Sequence, residues 1–251
     1  MSKNFELMQE ALMQPGTSAR ESAKVLFLES EGNRKPASEV SDFDAVAQQE
    51  CFKLVQRIFL GQPDLFHTVA FAGIDRGNGC SRICVETARI LSANTSGSVC
   101  LVDANFRTPS LPGFLGVSNH RGLVTSLAED GDMRSFARQL VPSNLWLMSA
   151  GTVDSMSPSL LSSDRLRVRL QELRKEFDYV LIDSPALNLY ADAVALGGIA
   201  EGLVIVLQAE STRRESALKG LQTLRQAHIK VLGAVLNRRT FPIPHFVYRR
   251  L

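Results

Sequence analysis

Hydrophobic residues along this chain gather in short runs separated by longer amphipathic stretches. Val69 to Ala72, Val99 to Val102, Leu145 to Met148, Tyr179 to Ile182, Leu203 to Leu207 and Val231 to Leu236 are nearly continuous in apolar character. Such runs mark strands buried on both faces of a parallel sheet. Between them, apolar positions recur at helical spacing. Val46, Phe52, Val55, Ile58 and Phe59 define one face over 45–60, with Pro63 as a stop. Ile83, Val85, Ala88 and Leu91 define another over 81–93, and an Arg- and Glu-rich helix spans 166–177. Further helices are predicted over 192–200 and 214–227, with short helical pieces around Gly131, a loop after Asp103 and a Ser-rich turn from Gly151 to Pro158. The alternation predicts an α/β fold over residues 45–240, a doubly wound and mostly parallel sheet with ligands at the C-terminal strand edge. Residues 1–44 hold one short apolar run, Val25 to Leu28, and read as a flexible N-terminal arm; residues 241–251 form a C-terminal tail.

Composition narrows the class without naming a function. At 251 residues, 45% hydrophobic and 22% charged, the chain can bury one large core. A net charge of +2 is too even to imply a nucleic-acid partner, and none is expected. No apolar run reaches the roughly 18 residues a membrane span needs. The polar start Met-Ser-Lys-Asn-Phe-Glu lacks the apolar core of a signal peptide, so the expectation is a cytoplasmic chain. Cys51, Cys80, Cys84 and Cys100 lack paired spacing and read as reduced core thiols; the four histidines show no ligand spacing.

Three loops leave strand ends toward one edge: Gly77 to Ser81, Asp103 to Arg107 and Asp183 to Pro185. The first joins an apolar strand to a helix, an arrangement that gathers backbone N–H groups and a helix N-terminus around one point and suits a phosphate chain. A working phosphate loop reads Gly-Lys-Ser/Thr, the Lys neutralising the β- and γ-phosphates and the hydroxyl holding Mg²⁺. Here the triplet is Gly79-Cys80-Ser81, so Gly77, Asn78, Gly79, Cys80, Ser81 and Arg82 keep the cradle and lose the charge. Asp103 and Asp183 end their strands where a nucleotide site needs a metal ligand or water-orienting carboxylate. Each has a second reading, a strand-end Asp capping its own loop.

These motifs together resemble the bacterial tyrosine kinases of capsule and exopolysaccharide synthesis, in the branch where the kinase is a separate cytoplasmic chain. The carrying segments are Arg76-Gly77-Asn78-Gly79-Cys80-Ser81, Leu101-Val102-Asp103-Ala104-Asn105-Phe106-Arg107 and Leu181-Ile182-Asp183-Ser184-Pro185-Ala186. Thr108 to Leu111, Gly122-Leu123, Leu160 to Ser163 and Val235 to Asn237 fall in the family's order, so the resemblance covers about residues 48 to 240. It implies a P-loop NTPase fold of the Walker A′ type, ATP or ADP with Mg²⁺ as ligands, and non-specific protein-tyrosine kinase activity. By resemblance, Asp103 acts on the acceptor hydroxyl, and Ser81, Asp103 and Asp183 hold Mg²⁺. Asn237 matches the position facing the adenine edge, with a loop Asx-turn as its equal rival.

The departures concern chemistry. Cys80 replaces the Lys and Asn105 replaces the second Asp of the second motif, which predicts weak binding of both ligands and a degenerate, regulatory protein. The thiol has two readings, a reactive group at a helix N-terminus or a small apolar filler. Two further functions stay open: an active autokinase in which Arg76 or Arg82 substitutes for the Lys, and a partitioning or division-site ATPase scaffold. Against the latter, Asp75 stands where those proteins keep a signature Lys. The resemblance also implies a transmembrane polysaccharide co-polymerase or adaptor as partner, which would bring the chain to the inner face of the membrane. A homo-oligomer is implied too, although Glu50, Lys53, Gln56 and Arg57 match the family's ring-forming helix only in part. The tail holds a single tyrosine, Tyr248, beside Arg249 and Arg250, so its phosphorylation is an open expectation.

Overall fold

A computed structural model describes residues 24–29, 45–61, 66–141, 144–152 and 164–239, the first of these segments as backbone. Most of the expected arm, Pro63, most of the Ser-rich turn and the tail with Tyr248 lie outside the described residues.

Among the described residues, eight strands form one sheet in the order β1-β8-β7-β2-β6-β3-β5-β4. They are β1 (Lys24–Glu29), β2 (Thr68–Gly73), β3 (Val99–Asp103), β4 (Arg138–Gln139), β5 (Leu145–Met148), β6 (Tyr179–Ser184), β7 (Gly202–Gln208) and β8 (Val231–Arg239). Every pairing is parallel except the short β4 against β5. The helices are α1 (Ala45–Val55), α2 (Cys80–Asn94), α3 (Leu111–Leu115), α4 (Leu123–Ala128), α5 (Met133–Phe136), α6 (Asp164–Glu176), α7 (Asp192–Ile199) and α8 (Arg214–Gln226).

Alternation along the central strands splits the core in two. Val69, Phe71, Leu101, Leu181 and Val204 pack with Leu54 and Phe59 on the α1 side and Ile83 and Leu91 of α2. Ala70, Ala72, Val102, Val180, Ile182 and Ile205 pack with Leu170 and Leu173 of α6, Leu196 of α7 and Leu221 and Leu224 of α8. Burial on both faces is why the strand sequences are continuously apolar. Full burial of each Val, Leu, Ile or Phe side chain among them contributes about 1.5–3 kcal/mol.

The structure departs from the sequence expectation at four places. The Val25 to Leu28 run, assigned to the arm, lies in β1 and pairs parallel with β8 at the sheet edge. Helix α1 passes into a π turn, Gln56–Leu60, which changes the angular spacing of Gln56 and Arg57 relative to Glu50 and Lys53. The loop after Asp103 contains α3, a single turn with Pro112 inside its start, stopped by Gly116 at φ 65°. Strand β4 is two exposed polar residues.

Candidate functional site

Strand β2 delivers the chain to Gly73 at the C-terminal edge, and the loop 74–79 turns it into α2 at Cys80. Gly77 and Gly79 make the turn, at φ 87° and 82°, a region that costs other residues strain. Gly79 is also required by contact, because a Cβ there would collide with Nδ2 of Asn237.

Hydrogen bonds to neighbouring strand ends fix the loop. Ile74 N–H donates to the carbonyl of Val206 on β7 (3.1 Å). Asn78, 4% exposed, accepts from Asp75 N–H at Oδ1 (2.7 Å) and donates from Nδ2 to Thr212 Oγ1 (3.3 Å). Asn237, 8% exposed at the end of β8, donates from Nδ2 to the Asn78 carbonyl (2.9 Å) and accepts at Oδ1 from Arg238 N–H (2.9 Å). Asn188 donates from Nδ2 to the carbonyl of Ser216 (2.9 Å), tying the loop after β6 to α8. Sequence reasoning missed Thr212 and Asn188, which carry no motif; their one signal is that each follows a strand reaching this edge.

Asp103 and Asp183 are register partners on β3 and β6, and both are fully buried. Asp103 is engaged: Oδ1 accepts from Asn105 N–H (3.2 Å), and Oδ2 from the N–H groups of Ser110 and Leu111 (3.0 Å each). Burial pushes its pKa up to about 6 against the opposing pull of those amides. Asp183 differs, since neither oxygen has a hydrogen-bond partner. Burial first, and the Asp103 charge second, push its pKa up to about 8. The Ser81 hydroxyl and Cys80 thiol face it and moderate the rise without completing a hydrogen bond.

Burial and the Asp183 charge also push the Cys80 thiol well above its usual range, opposite to what a reactive helix-terminal thiolate needs. The apolar-filler reading of Cys80 fits this environment. Cys84, one turn on and buried, is raised by the same causes. No group of three or more His, Cys, Asp or Glu with metal-binding geometry occurs among the described residues.

The flanking residues fall into place around this edge. Arg76 and Arg82 are exposed beside the loop. Arg107 pairs with Asp192 through Nε (3.1 Å) and lies 4.4 Å above the Tyr190 ring, joining the loops after β3 and β6. Asn105 spends its side chain on Thr108, with Nδ2 3.2 Å from Thr108 Oγ1. The structure thus brings together Gly77 to Ser81, Asp103, Asp183 and Asn237, with Arg76 and Arg82 at the rim.

The family described as AAA domain matches residues 93–239, more than half of the chain. The chain belongs to this family, in its bacterial tyrosine-kinase branch. It is 28% identical to tyrosine-protein kinase YwqD of Bacillus subtilis over 181 residues, 67% of this chain and 76% of that protein. In three dimensions it resembles the chimerical protein CapA2B2 at a TM-score of 0.77 and 18% identity, over 94% of this chain and 99% of that one. The kinase domain of the Escherichia coli tyrosine kinase ETK gives a TM-score of 0.77 and 19% identity, over 91% and 97%. The P-loop NTPase fold is thereby shown.

Proposed function

We propose that this chain is a tyrosine-protein-kinase-like component of exopolysaccharide or capsule biosynthesis that acts as a regulatory nucleotide-binding subunit, with weak affinity for ATP or ADP and little phosphoryl transfer. The observation that carries the reading is Cys80, which opens α2 beside Asp183 and supplies no cation where the phosphate loop needs one. A charge-assisted hydrogen bond is worth about 1.5–3 kcal/mol, so its loss weakens triphosphate binding by about tenfold or more. Turnover suffers further, because fixed cations also balance charge developing in the transition state.

In this reading the backbone of Gly77, Asn78, Gly79 and Cys80, with Ser81 and Arg82, holds the phosphates. Ser81 and Asp183 hold Mg²⁺; the buried Asp183 carboxylate, without a protein donor, is the kind of group a divalent cation satisfies. The ion supplies charge neutralisation on the phosphate oxygens. Asp103, with three loop amides on its carboxylate, orders the adjoining loop, so the metal contact expected of it passes to Asp183. Among the described residues no helix is long and apolar enough to cross a membrane. Kinship with the tyrosine-protein kinases of this family supports a transmembrane co-polymerase or adaptor as partner.

The test is isothermal titration with ATP and Mg²⁺ alongside phosphotyrosine detection and co-purification from cells. Weak binding, little autophosphorylation and recovery of a membrane co-polymerase are expected. Submicromolar ATP affinity lost in Arg82→Ala would favour an active kinase with a substitute cation. Repeated recovery of DNA-associated or division proteins alone would favour a partitioning scaffold.

A further inference from the structure

We propose that a cleft at the N-terminal ends of the strands, opposite the nucleotide edge, binds a small sugar phosphate, with Lys175 and Arg134 holding the phosphate and His67 a sugar hydroxyl. The cleft encloses about 520 Å³ between the starts of β2, β3, β6 and β7 and the end of α6. That volume suits a small molecule. Its lining is mostly charged or polar, so an apolar ligand gains little there. Three acidic side chains, Glu176, Asp178 and Glu201, face three basic ones, Arg134, Arg174 and Lys175. Formal charge therefore cancels, and the ligand is chosen by the groups that the fold has left without partners.

All three carboxylates are engaged by the backbone. Glu201 Oε2 accepts from the N–H groups of His67 (2.6 Å) and Thr68 (2.9 Å) at the start of β2, and Oε1 accepts from Arg174. Glu176 accepts from Met133 N–H (2.7 Å) and Arg134 N–H (2.8 Å) at the start of α5. Asp178 Oδ2 accepts from Ser98 N–H (2.7 Å) and Oγ (2.8 Å), bonds that hold its carboxyl below the ordinary range. The cations keep more in reserve. Lys175 is exposed and has no partner among the described residues. Arg134 is fixed by Nε and Nη2 on the Glu176 carbonyl and by the Phe177 ring at 4.6 Å, which leaves Nη1 open. These donors call for an oxyanion.

His67 adds a second requirement. Its ring stacks on Tyr179 with centroids 5.6 Å apart, and Nδ1 lies 2.8 Å from the Asp178 carbonyl. A carbonyl only accepts, so Nδ1 carries the hydrogen and Nε2 of the neutral ring is left as an open acceptor. Asp178 Oδ1 likewise receives no bond from another described residue. Two open acceptors beside open cationic donors match a molecule that carries a phosphate and donates hydroxyls. Inorganic phosphate satisfies the first set alone, and an uncharged sugar the second alone.

The test titrates the full chain with glucose 6-phosphate, glucose, inorganic phosphate and phosphatidylglycerol vesicles, with backbone amide shifts read by NMR. Glucose 6-phosphate should bind with a dissociation constant of about 1 mM or below and move the amides of His67, Ser98 and Asp178. Glucose and inorganic phosphate should each bind about tenfold more weakly. Lys175→Ala should weaken glucose 6-phosphate by about tenfold. His67→Phe keeps the stack on Tyr179 and loses the acceptor, so it should bring glucose 6-phosphate towards the level of inorganic phosphate and leave inorganic phosphate unchanged. Both side chains are exposed, so both variants should fold. The proposal is overturned if inorganic phosphate binds as tightly as the sugar phosphate, if Lys175→Ala leaves binding unchanged, or if only the vesicles are bound. Shifts confined to residues 75–82 would place the ligand in the phosphate loop and overturn it too.

Discussion

The carboxylate of Asp183 stands beside that of Asp103, its register partner on the adjacent strand, and neither of its oxygens receives a hydrogen bond. A fold tolerates this only by keeping the group neutral or by supplying a cation. Burial and the neighbouring carboxylate hold the Asp183 proton up to about pH 8, and burial holds that of Asp103 up to about pH 6.

Stability should accordingly fall as pH rises from about 4 towards 8. Both groups have raised values in the folded state, so in this window the folded chain keeps protons that the unfolded chain has released, and the slope of unfolding free energy with pH is negative. Asp183→Asn removes the larger contribution. Urea denaturation at pH 5 and pH 8 should show the variant more stable than the parent at pH 8 and the difference shrinking on acidification. A parent whose stability rises across that range would contradict the buried-proton account.

Arg169 offers a test on the other face of the sheet. It is buried on α6, donates to the carbonyls of Ser126 (2.7 Å), Glu129 (2.7 Å) and Gly131 (3.1 Å), and pairs with Glu172. Those carbonyls belong to the end of α4 and the turn into α5, so one guanidinium anchors the segment. Arg169→Met leaves them without donors and should cost about 3–5 kcal/mol in denaturant unfolding. Arg169→Lys should recover little, because an ammonium lacks the planar fork that reaches three carbonyls. Full rescue by Lys would reduce the anchor to a simple charge effect.

The sheet and its edge were legible in the sequence because strands buried on both faces carry unbroken apolar runs, and because Asp103 and Asp183 each close such a run. What escaped was set by contacts distant in the chain. Thr212 lies 134 residues from the Asn78 amide it receives, and a polar residue engaged by such a distant partner has no local signature. Helix α3 is one turn long, too short for a helical period to register, and its first amides are held by Asp103. Strand β1 gains its place by pairing with β8, which no pattern within residues 24–29 announces.

Cys80 should alkylate slowly for a partly buried thiol at a helix start. Its environment favours the protonated form through burial and the Asp183 charge. Iodoacetamide labelling near pH 7, read by peptide mass spectrometry, should leave Cys80 mostly unmodified where an unperturbed exposed thiol is consumed. Rapid labelling would restore the reactive-thiol reading.

Cys80→Lys tests the missing charge through two independent readouts. An ammonium at this position faces the place where phosphate would sit and also stands beside Asp183, so it can act with and without ligand. Binding of ATP with Mg²⁺ should strengthen by about tenfold or more, from the charge-assisted bond regained. Without ligand, the new cation should favour the ionised form of Asp183 and draw its proton affinity down, since an opposite charge within a few ångströms opposes the rise caused by burial. The fall in stability towards pH 8 should then be shallower in Cys80→Lys than in the parent. Stronger binding with an unchanged pH slope would place the ammonium out of reach of Asp183. A shallower slope with unchanged affinity would mean that the cradle of Gly77 to Ser81 no longer holds a phosphate chain, and would count against the nucleotide-binding role.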